Sequence, residues 1–366
     1  MKDLALGQRI DEIDTPVLLL DLDGMERNIA AMADFFKGLE TKLRPHFKTH
    51  KTPILAHKQI EAGAIGITCA KLGEAEPLVE SGIKDILIAN EIVGAAKMRR
   101  LVSLAKSSDV MVCVDNARHV EDLSEATEVA GATLRVLVDV DVGMHRCGAQ
   151  PGELALALAQ KVERAKGLKF VGLMGYEGHT VHMPDFQERK KAAERSMKFL
   201  IETKELVEDA GLEVGIVSGG GTGTYQISGT YPGVTEVQPG SYIVMDTQYK
   251  SIEGMEAFEI AISVLTTVIS RPQPNIAITD GGLKVMTREF GLPLVKGLEG
   301  AKLLHLSEEH GKLELEGEAR SLRVGDKIEF LPSHCCTTIN LHDYFYGVTD
   351  GRLEVVWEIA GRGKSR

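Results

Sequence analysis

The sequence predicts an α/β protein in which a (β/α)8 TIM-like barrel is followed by a C-terminal all-β domain. Three observations lead to this fold class. Short apolar runs alternate with amphipathic stretches from Thr15 to about Val244. Polar residues recur at the C-terminal end of nearly every run, where barrel enzymes place their chemistry. After about Asp246 the pattern changes to short strands separated by Gly and Pro turns.

The apolar runs of the first part are predicted to be parallel strands, because near-continuous apolar strands joined by helices indicate a sheet covered on both faces. These runs include PVLLLDL, AIGITCA, DILIAN, DVMVCVD, LRVLVDVD, FVGLMGYEG and EVGIVSGGG. Helix-like segments such as GMERNIAAMADFFKGLE and KLGEAEPLVESG lie between them. About eight strands in this length fit a barrel of ~250 residues, and a doubly wound open sheet is the alternative.

The last part of the chain is predicted to form a separate β domain. Its runs are FEIAISVLTTVIS, NIAITDGG, KLELEG, DKIEFLP and LEVVWEIAGRG. We therefore place the barrel in residues 1–245 and the β domain in residues 246–366. Whether the N-terminal strand joins the β domain is left open at this point.

Composition narrows the class of protein. The chain has 366 residues and a net charge of −11, which argues against a nucleic-acid partner. The N-terminal residues lack the apolar core of a signal peptide, and no apolar run approaches the roughly 18 residues of a membrane span. Five scattered cysteines favour a reducing compartment over a disulfide framework, so we expect a cytoplasmic protein without a membrane partner. They are Cys69, Cys113, Cys147, Cys335 and Cys336.

The stretch LRPHFKTHK is unusually basic for an acidic chain. Strand alternation would send Arg44, His46, Lys48 and His50 to one face, with Lys51 beyond it. A desolvated lysine among cationic neighbours loses its proton more readily, and a neutral amine is what Schiff-base chemistry requires. Lys48 is therefore the predicted nucleophile, and a salt-bridged strand end is the alternative.

A glycine-rich run, VSGGGTGTY, follows the predicted strand EVGIV. Its glycines allow backbone amides to approach an anion such as a phosphate, and Thr222 and Thr224 add hydroxyl donors. The run matches neither the Walker pattern nor a convincing dinucleotide fingerprint. A plain tight loop is the alternative interpretation.

A third motif, LPSHCCTTINLHD, follows the strand DKIEF. On extended backbone His334 and Cys336 point to the same side, and an imidazole with a thiolate suits a divalent metal in a site that keeps open positions. The alternative is a buried cysteine beside a hydrogen-bonded histidine.

The fourth motif is GYEGHTVHMPD, in which Tyr176, His179 and His182 follow a strand. Either histidine could serve as an acid, a base or a metal ligand. Together, the four motifs indicate pyridoxal phosphate combined with a metal-assisted step. A class I aldolase would need the lysine alone, and a metallohydrolase would not need Lys48.

These motifs resemble the D-threonine aldolase and D-serine dehydratase family of alanine-racemase-like, fold-type III pyridoxal phosphate enzymes. The motifs that carry the resemblance run in order through nearly the whole chain. They are RPHFKTHK, AIGITCAKLGEAEPLVESGI, DVGMHRCG, GYEGH, SGGGTGTY, EVQPGSY and LPSHCCTTINLHD. The resemblance implies a cofactor-carrying barrel, a metal site in the β domain, D-configured amino acid substrates and a homodimer.

The resemblance also implies roles for individual residues. Lys48 would be the Schiff-base lysine, with Arg146 and Tyr176 around the cofactor ring. His334 and Cys336 would bind the metal, for which Mn²⁺ and Zn²⁺ are the first candidates and Mg²⁺ the third. The phosphate would be held by Gly221, Thr222, Gly240, Ser241 and Tyr242.

Two reactions fit the same set of groups. In the favoured one, a low-specificity D-threonine aldolase cleaves D-β-hydroxy-α-amino acids to glycine and an aldehyde, with His179, His182 or a hydroxide on the metal as base. In the alternative, a metal-dependent dehydratase converts D-serine or D-3-hydroxyaspartate to a 2-keto acid and ammonia. A non-catalytic cofactor-binding protein and a racemase are the remaining alternatives. A racemase normally needs a second base, and the C-terminal domain offers no clear candidate tyrosine, since only Tyr344 and Tyr346 lie near the site.

Overall fold

The computed structural model describes residues 6–366, which form two compact units that alternate along the sequence. One unit takes in residues 6–31, then Thr49–Thr52 and Ser241–Arg362. The other takes in Met32–Lys48, Pro53–Gly240 and Gly363–Arg366. Each unit contains its own β-sheet, and the domain boundary between residues 245 and 246 stays a prediction.

Strands and helices alternate in the first two thirds of the chain, and strands dominate after it. The strands are β1 (Val17–Asp21), β2 (Lys42–Leu43), β3 (Ile67–Cys69), β4 (Asp85–Glu91), β5 (Asp109–Val114), β6 (Leu134–Asp139), β7 (Leu168–Gly175), β8 (Ile216–Gly219), β9 (Glu236–Val237), β10 (Ile262–Gln273), β11 (Ile276–Thr279), β12 (Leu294–Val295), β13 (Ala301–Leu306), β14 (Gly311–Leu315), β15 (Lys327–Leu331), β16 (Tyr344–Thr349) and β17 (Arg352–Glu358). The α-helices are α1 (Leu22–Phe36), α2 (Pro53–Glu61), α3 (Leu72–Glu80), α4 (Ala95–Ala105), α5 (Ala117–Ala130), α6 (Glu153–Arg164), α7 (Phe186–Asp209), α8 (Tyr225–Ser228), α9 (Thr247–Lys250) and α10 (Cys335–Ile339).

The second unit contains a parallel barrel, as the sequence predicted. Its strand order is β2-β9-β8-β7-β6-β5-β4-β3, and every pairing is parallel. The two ends of this order are joined, because Ile65 donates to the carbonyl of Leu43 and Thr68 donates to that of Pro45, both at 2.9 Å. Closure removes the free edges of an open sheet, so the doubly wound alternative was wrong.

The barrel lacks the first strand that the sequence predicted and is completed by two shorter ones. The run PVLLLDL became β1, which pairs antiparallel with β10 and parallel with β16 in the other unit. The barrel instead includes β2 and β9, each only two residues long. Two residues are too few to produce an apolar run, which is why sequence periodicity did not reveal them.

Helix α7 of the barrel unit is amphipathic and begins after a capping residue. In α7 the buried side chains include Ala193, Met197, Leu200 and Val207, the spacing expected of one helical face. The carboxylate of Asp185 caps this helix by accepting the N–H of Glu188 at 2.8 Å. Among the described helices, none is both long and apolar enough to cross a membrane.

The first unit is built on a mostly antiparallel sheet, which confirms the predicted C-terminal β architecture. Its main strand order is β13-β14-β11-β10-β1-β16-β17, and β15 pairs with β10 and β12. Part of its core is a cluster of buried apolar side chains from both ends of the chain. This cluster consists of Ile13, Val17, Leu19, Leu265 and Leu353. Helix α10 follows β15 and carries the motif HCC at its start.

A buried ion pair inside the barrel gives a test of its stability. Arg44 Nε lies 2.9 Å from Glu236 Oε2, and both side chains are only 2% exposed. Asp85, which is 36% exposed, makes a second pair with Arg44 at 2.9 Å. Removing one partner of a buried pair leaves an uncompensated charge at a cost of about 3–5 kcal/mol.

We therefore expect Glu236→Gln to lower the free energy of unfolding by about 3 kcal/mol, since Asp85 still faces the arginine. Urea denaturation followed by circular dichroism measures this loss. The matched control is Glu128→Gln, which breaks an exposed pair with Lys166 and should change stability little. Equal losses in the two variants would contradict a special role for the buried pair.

Candidate active site

The basic stretch around Lys48 is a turn, so the predicted strand alternation was wrong there. Strand pairing ends at His46, which bridges to Thr68, and Phe47 to His50 form a turn. Lys51 then adopts a left-handed backbone with φ of 52°. Because alternation requires extended backbone, the four basic residues do not share one strand face.

Most of these basic side chains have structural partners. Arg44 is held by the ion pairs described above. The Nδ1 atom of His46 accepts the backbone N–H of Lys48 at 3.4 Å, and Nδ1 of His50 accepts that of Thr52 at 3.2 Å. The histidines thus shape the turn on either side of Lys48.

Tyr176 is the common neighbour of two predicted cofactor residues. It follows β7 directly, and its ring faces Lys48, whose Nζ lies 5.5 Å from the ring centroid. The guanidinium carbon of Arg146 lies 5.8 Å from the same centroid. Both cations are within the distance at which an aromatic ring attracts them. The barrel therefore brings together the lysine, the arginine and the tyrosine that the sequence singled out.

The glycine-rich run forms a tightly packed loop after β8. A Cβ atom at Gly221 would lie 3.2 Å from Cε2 of Tyr176, and one at Gly223 would lie 1.9 Å from the carbonyl oxygen of Val181. Gly220 has a φ of +71°, which favours glycine. A side chain at Gly223 would collide with backbone and one at Gly221 would crowd the Tyr176 ring, so the glycines let the backbone pass close to Tyr176. Thr222 is buried in the same turn.

Asp141 shapes the loop that carries Arg146. Its Oδ1 accepts the backbone N–H groups of Gly143 at 3.0 Å and His145 at 2.9 Å. Burial would raise the pKa of Asp141, but these two N–H groups, with the His145 side chain, keep it below its usual value. The loop is thus fixed just before Arg146, which is itself exposed.

Two carboxyl groups lie near this loop, Glu91 at the end of β4 and Asp139 at the end of β6, and β5 separates their strands. Burial, and then the adjacent Glu91, raise the pKa of Asp139 well above its ordinary value. The same two causes raise the pKa of Cys147 to about 11, so this exposed thiol is not a thiolate at neutral pH. Arg146 acts against both shifts as the local cation.

The two histidines of the fourth motif lie in the turns after Tyr176. His179 is exposed, and a Cβ atom on Gly143 would be 3.4 Å from its Cε1, so it lies beside the Arg146 loop. His182 is half-buried. Their roles as candidate bases stay predictions.

The HCC motif forms a cluster of ligand atoms, although its backbone differs from the expectation. His334 is the extended N-cap of α10, and Cys335 and Cys336 already belong to the helix, so the assumption of extended backbone was wrong. The ligand atoms of these three residues nevertheless all lie within 4.8 Å of one another. An imidazole and thiolates at this spacing suit a divalent cation.

Asp246 and neighbouring groups set the charge of this cluster. Oδ2 of Asp246 lies 3.1 Å from Nδ1 of His334 and accepts the N–H of Cys335 at 2.9 Å. Burial opposes protonation of the imidazole, but Asp246 and the sulfur of Cys336 raise the pKa of His334 to about 10. Asp246 therefore orients His334 as a carboxylate orients a metal-binding histidine.

The two cysteines are electrostatically different. Cys335, acting as a donor, and then His334 hold the pKa of Cys336 well below its ordinary value, although burial acts in the opposite direction. Burial and the neighbouring Cys336 raise the pKa of Cys335 well above its ordinary value. Since thiolates are the metal-binding form, Cys336 is the better ligand of the two.

The remaining residues predicted to bind the phosphate are Gly240, Ser241 and Tyr242, which lie where the chain passes from one unit to the other. Gly240 ends the barrel segment, and the hydroxyl of Ser241 lies 3.7 Å from Sγ of Cys336. Tyr242 is fully buried, with its ring centroid 5.9 Å from that of Phe258. The structure thus brings Ser241 to the His/Cys cluster, and phosphate binding by these residues stays a prediction.

Sequence reasoning missed three residues that contact the predicted ones. Asp246 is 88 positions from His334, and Thr49 donates or accepts a hydrogen bond with Sγ of Cys336 at 3.3 Å across 287 positions. Glu177 accepts hydrogen bonds from the glycine loop. The sequence carried a signal only for Asp246, because aspartate is a preferred N-cap residue and α9 begins at the next position, Thr247.

One unit is a closed parallel barrel that brings Lys48, Arg146 and Tyr176 together, and the other is built on a mostly antiparallel sheet. This combination defines the alanine-racemase-like class of proteins. Comparison with protein families agrees with this class. The family described as "Alanine racemase, N-terminal domain" matches residues 20–248, and the one described as "Putative serine dehydratase domain" matches residues 261–348.

Individual relatives narrow the class. The chain is 40% identical to a D-threonine aldolase of Arthrobacter sp, over 98% of this chain and 96% of that protein. It is 38% identical to a 3-hydroxy-D-aspartate aldolase of Paracoccus denitrificans, over 98% and 94%. The crystal structure of D-threonine aldolase from Filomicrobium marinum superposes with a TM-score of 0.97 at 41% identity, covering 99% of both chains. The chain therefore belongs to the D-threonine aldolase and D-serine dehydratase family, within the alanine-racemase-like fold.

Proposed function

We propose that this protein is a pyridoxal phosphate- and metal-dependent lyase that cleaves D-threonine and related D-β-hydroxy-α-amino acids to glycine and an aldehyde. One observation carries the proposal. Lys48 and Arg146 approach the same Tyr176 ring, at 5.5 and 5.8 Å, in a chain that matches a D-threonine aldolase over 98% of its length. A carbon–carbon lyase of broad substrate range is the function that best fits this combination.

The barrel residues fit pyridoxal phosphate. Lys48 offers an amine for the cofactor aldehyde, and Arg146 and Tyr176 would lie beside its ring. The packed loop at Gly221 and Thr222, with Gly240, Ser241 and Tyr242, would hold the phosphate, and a side chain on Gly223 would collide with the backbone of Val181. When bound, the cofactor supplies an acceptor for the electrons released as the Cα–Cβ bond breaks.

The His/Cys cluster fits a divalent cation. His334 and Cys336 would be its protein ligands, and Asp246 would hold His334 through Nδ1. Mn²⁺ or Zn²⁺ suits this mixed set best, with Mg²⁺ third because it prefers oxygen ligands. Such a cation supplies a Lewis acid for the alcohol of the substrate.

Cleavage requires a base for the β-hydroxyl proton of the substrate. The proposal assigns this role to His179 or His182, which both follow Tyr176 at the end of β7. A neutral imidazole is suited to accept a proton near neutral pH. In this account Arg146 and Tyr176 orient the ring while one histidine removes the proton.

The proposal extends to assembly and compartment. We expect a homodimer, by analogy with the family, acting on a small D-amino acid. We also expect a reducing cytoplasm, because Cys336 has to remain a free thiol to bind the metal.

Product analysis on D-threonine tests the reaction. The proposal predicts acetaldehyde and glycine in equal amounts, and no reaction with L-threonine as the matched control. The dehydratase alternative, for which the second family match is the supporting observation, predicts 2-oxobutyrate and ammonia instead. Keto acid without aldehyde would overturn the aldolase proposal.

A further inference from the structure

Glu177 is a buried acidic residue that the reaction described above does not use. It lies directly after Tyr176, and its side chain is fully inaccessible to solvent. Three groups of the next part of the barrel donate hydrogen bonds to its carboxylate. They are the backbone N–H of Gly220 at 3.0 Å, the hydroxyl of Thr224 at 2.7 Å and the hydroxyl of Ser228 at 2.5 Å.

These contacts span the whole glycine loop. Gly220 lies at its start, Thr224 at its end, and Ser228 at the end of α8, which follows it. The hydroxyl of Thr224 also accepts the N–H of Gly221 at 3.0 Å, and the N–H of Thr224 donates to the carbonyl of Gly221 at 3.1 Å. Glu177 therefore fixes Thr224, and Thr224 in turn closes the turn that contains Thr222.

The chemistry of a carboxylate suits this task. Each of its oxygens is an acceptor only, so one can receive two hydroxyls while the other receives an amide N–H. Hydrogen bonds to a carboxylate are also stronger than those between neutral groups. A glycine-rich segment has much conformational freedom to lose, and fixing it in advance reduces the cost of binding a ligand.

We propose that Glu177 is a positioning residue that pre-forms the loop Gly220–Thr224 for the phosphate group of the cofactor. Tyr176 and Glu177, which directly follow β7, then have different roles. Tyr176 faces Lys48 and Arg146, and Glu177 holds the anion-binding loop in place. The inference rests on the proposed cofactor, but it concerns only the phosphate and not the reaction.

Glu177→Gln is the primary variant because it keeps the shape and removes acceptor capacity. If the amide NH2 of glutamine faces Gly220, two N–H donors oppose each other. If it faces the hydroxyls, the hydroxyl of Thr224 has to accept a second N–H and loses the acceptor for its own proton. Either orientation loosens the loop.

The experiment compares two ligands on the full chain after removal of bound cofactor. Pyridoxal phosphate and pyridoxal, which lacks the phosphate, are titrated separately and followed by near-visible absorbance. In Glu177→Gln we expect the affinity for pyridoxal phosphate to fall about 10-fold or more while that for pyridoxal stays unchanged. Thr224→Val should show the same selective loss, and Ser228→Ala a smaller one.

The matched control is Glu74→Gln. Glu74 is also buried in the barrel unit, and its carboxylate accepts backbone N–H groups of Ala70 at 2.8 Å and Lys71 at 3.3 Å. This variant should keep the wild-type preference for the phosphorylated ligand. If Glu177→Gln does not fold, Ser228→Ala and Thr224→Val decide the question.

Each outcome is informative. An equal loss for both ligands, or no loss for either, would overturn the role of Glu177 and leave the proposed function standing. A wild-type protein that binds neither ligand would overturn the proposed cofactor, and the inference with it. Selective loss of the phosphate contribution supports the positioning role.

Discussion

Replacing Lys48 with alanine is expected to abolish the near-visible absorbance of the bound cofactor and to lower the rate of D-threonine cleavage by about 10³-fold or more. The reason is that Lys48 supplies the amine that lies 5.5 Å from the centroid of the Tyr176 ring in the barrel unit. Absorption spectroscopy and an acetaldehyde assay measure the two effects. Borohydride reduction of the wild-type protein, followed by peptide mapping, should place the added mass on Lys48.

The control for this variant is Lys51→Gln. Lys51 lies three positions further on, and its backbone carbonyl accepts the N–H of Gly361 at 2.8 Å. Because its side chain is not assigned to the cofactor, the variant should keep the absorbance. Absorbance that persists in Lys48→Ala and disappears in Lys51→Gln would show that the nucleophile was assigned to the wrong lysine.

Loss of the metal is expected to be the second large effect. We expect Cys336→Ala to weaken binding of Mn²⁺ or Zn²⁺ by more than 100-fold, because loss of a ligand should exceed the roughly 10–100-fold cost of losing a residue that only orients one. D-Threonine cleavage should fall in parallel. Equilibrium dialysis with metal analysis measures the affinity, and the acetaldehyde assay measures the rate.

Two neighbouring variants sharpen this prediction. Asp246→Asn keeps both ligands but weakens the hold on Nδ1 of His334, so its metal affinity should fall by about 10–100-fold. Cys335→Ala removes a hydrogen-bond donor to Cys336 but keeps both proposed ligands, so metal affinity should fall much less than in Cys336→Ala. Retention of metal by Cys336→Ala together with its loss from Cys335→Ala would reverse the assignment of the two cysteines.

The fold could be predicted from the sequence because burial on both faces leaves a strong apolar pattern. In β5 (Asp109–Val114) five of the six residues are buried, as the nearly continuous apolar run DVMVCV predicts. The strands that closed the barrel, β2 and β9, could not be found this way, since two residues carry no periodicity. Likewise, nothing in PVLLLDL distinguishes a barrel strand from one that pairs with β10 and β16.

The candidate site was predictable where motifs are local and was not predictable where contacts are distant. Lys48, Tyr176 and Arg146 were each found in a short motif, and the barrel brings them together. The roles of Glu177 and Asp246 depend on partners 43 and 88 positions away, which no spacing rule connects. Turn geometry also escaped prediction, because extended backbone was assumed both around Lys48 and in the HCC motif.

The most direct test of the whole account is the rate of acetaldehyde release from D-threonine by four preparations of the same protein. These are the protein with both pyridoxal phosphate and Mn²⁺, with each alone, and with neither. We expect release, with an equal amount of glycine, only when both are present, and restoration when the missing one is returned. Release of acetaldehyde without pyridoxal phosphate or without the metal, or formation of 2-oxobutyrate in its place, would contradict it.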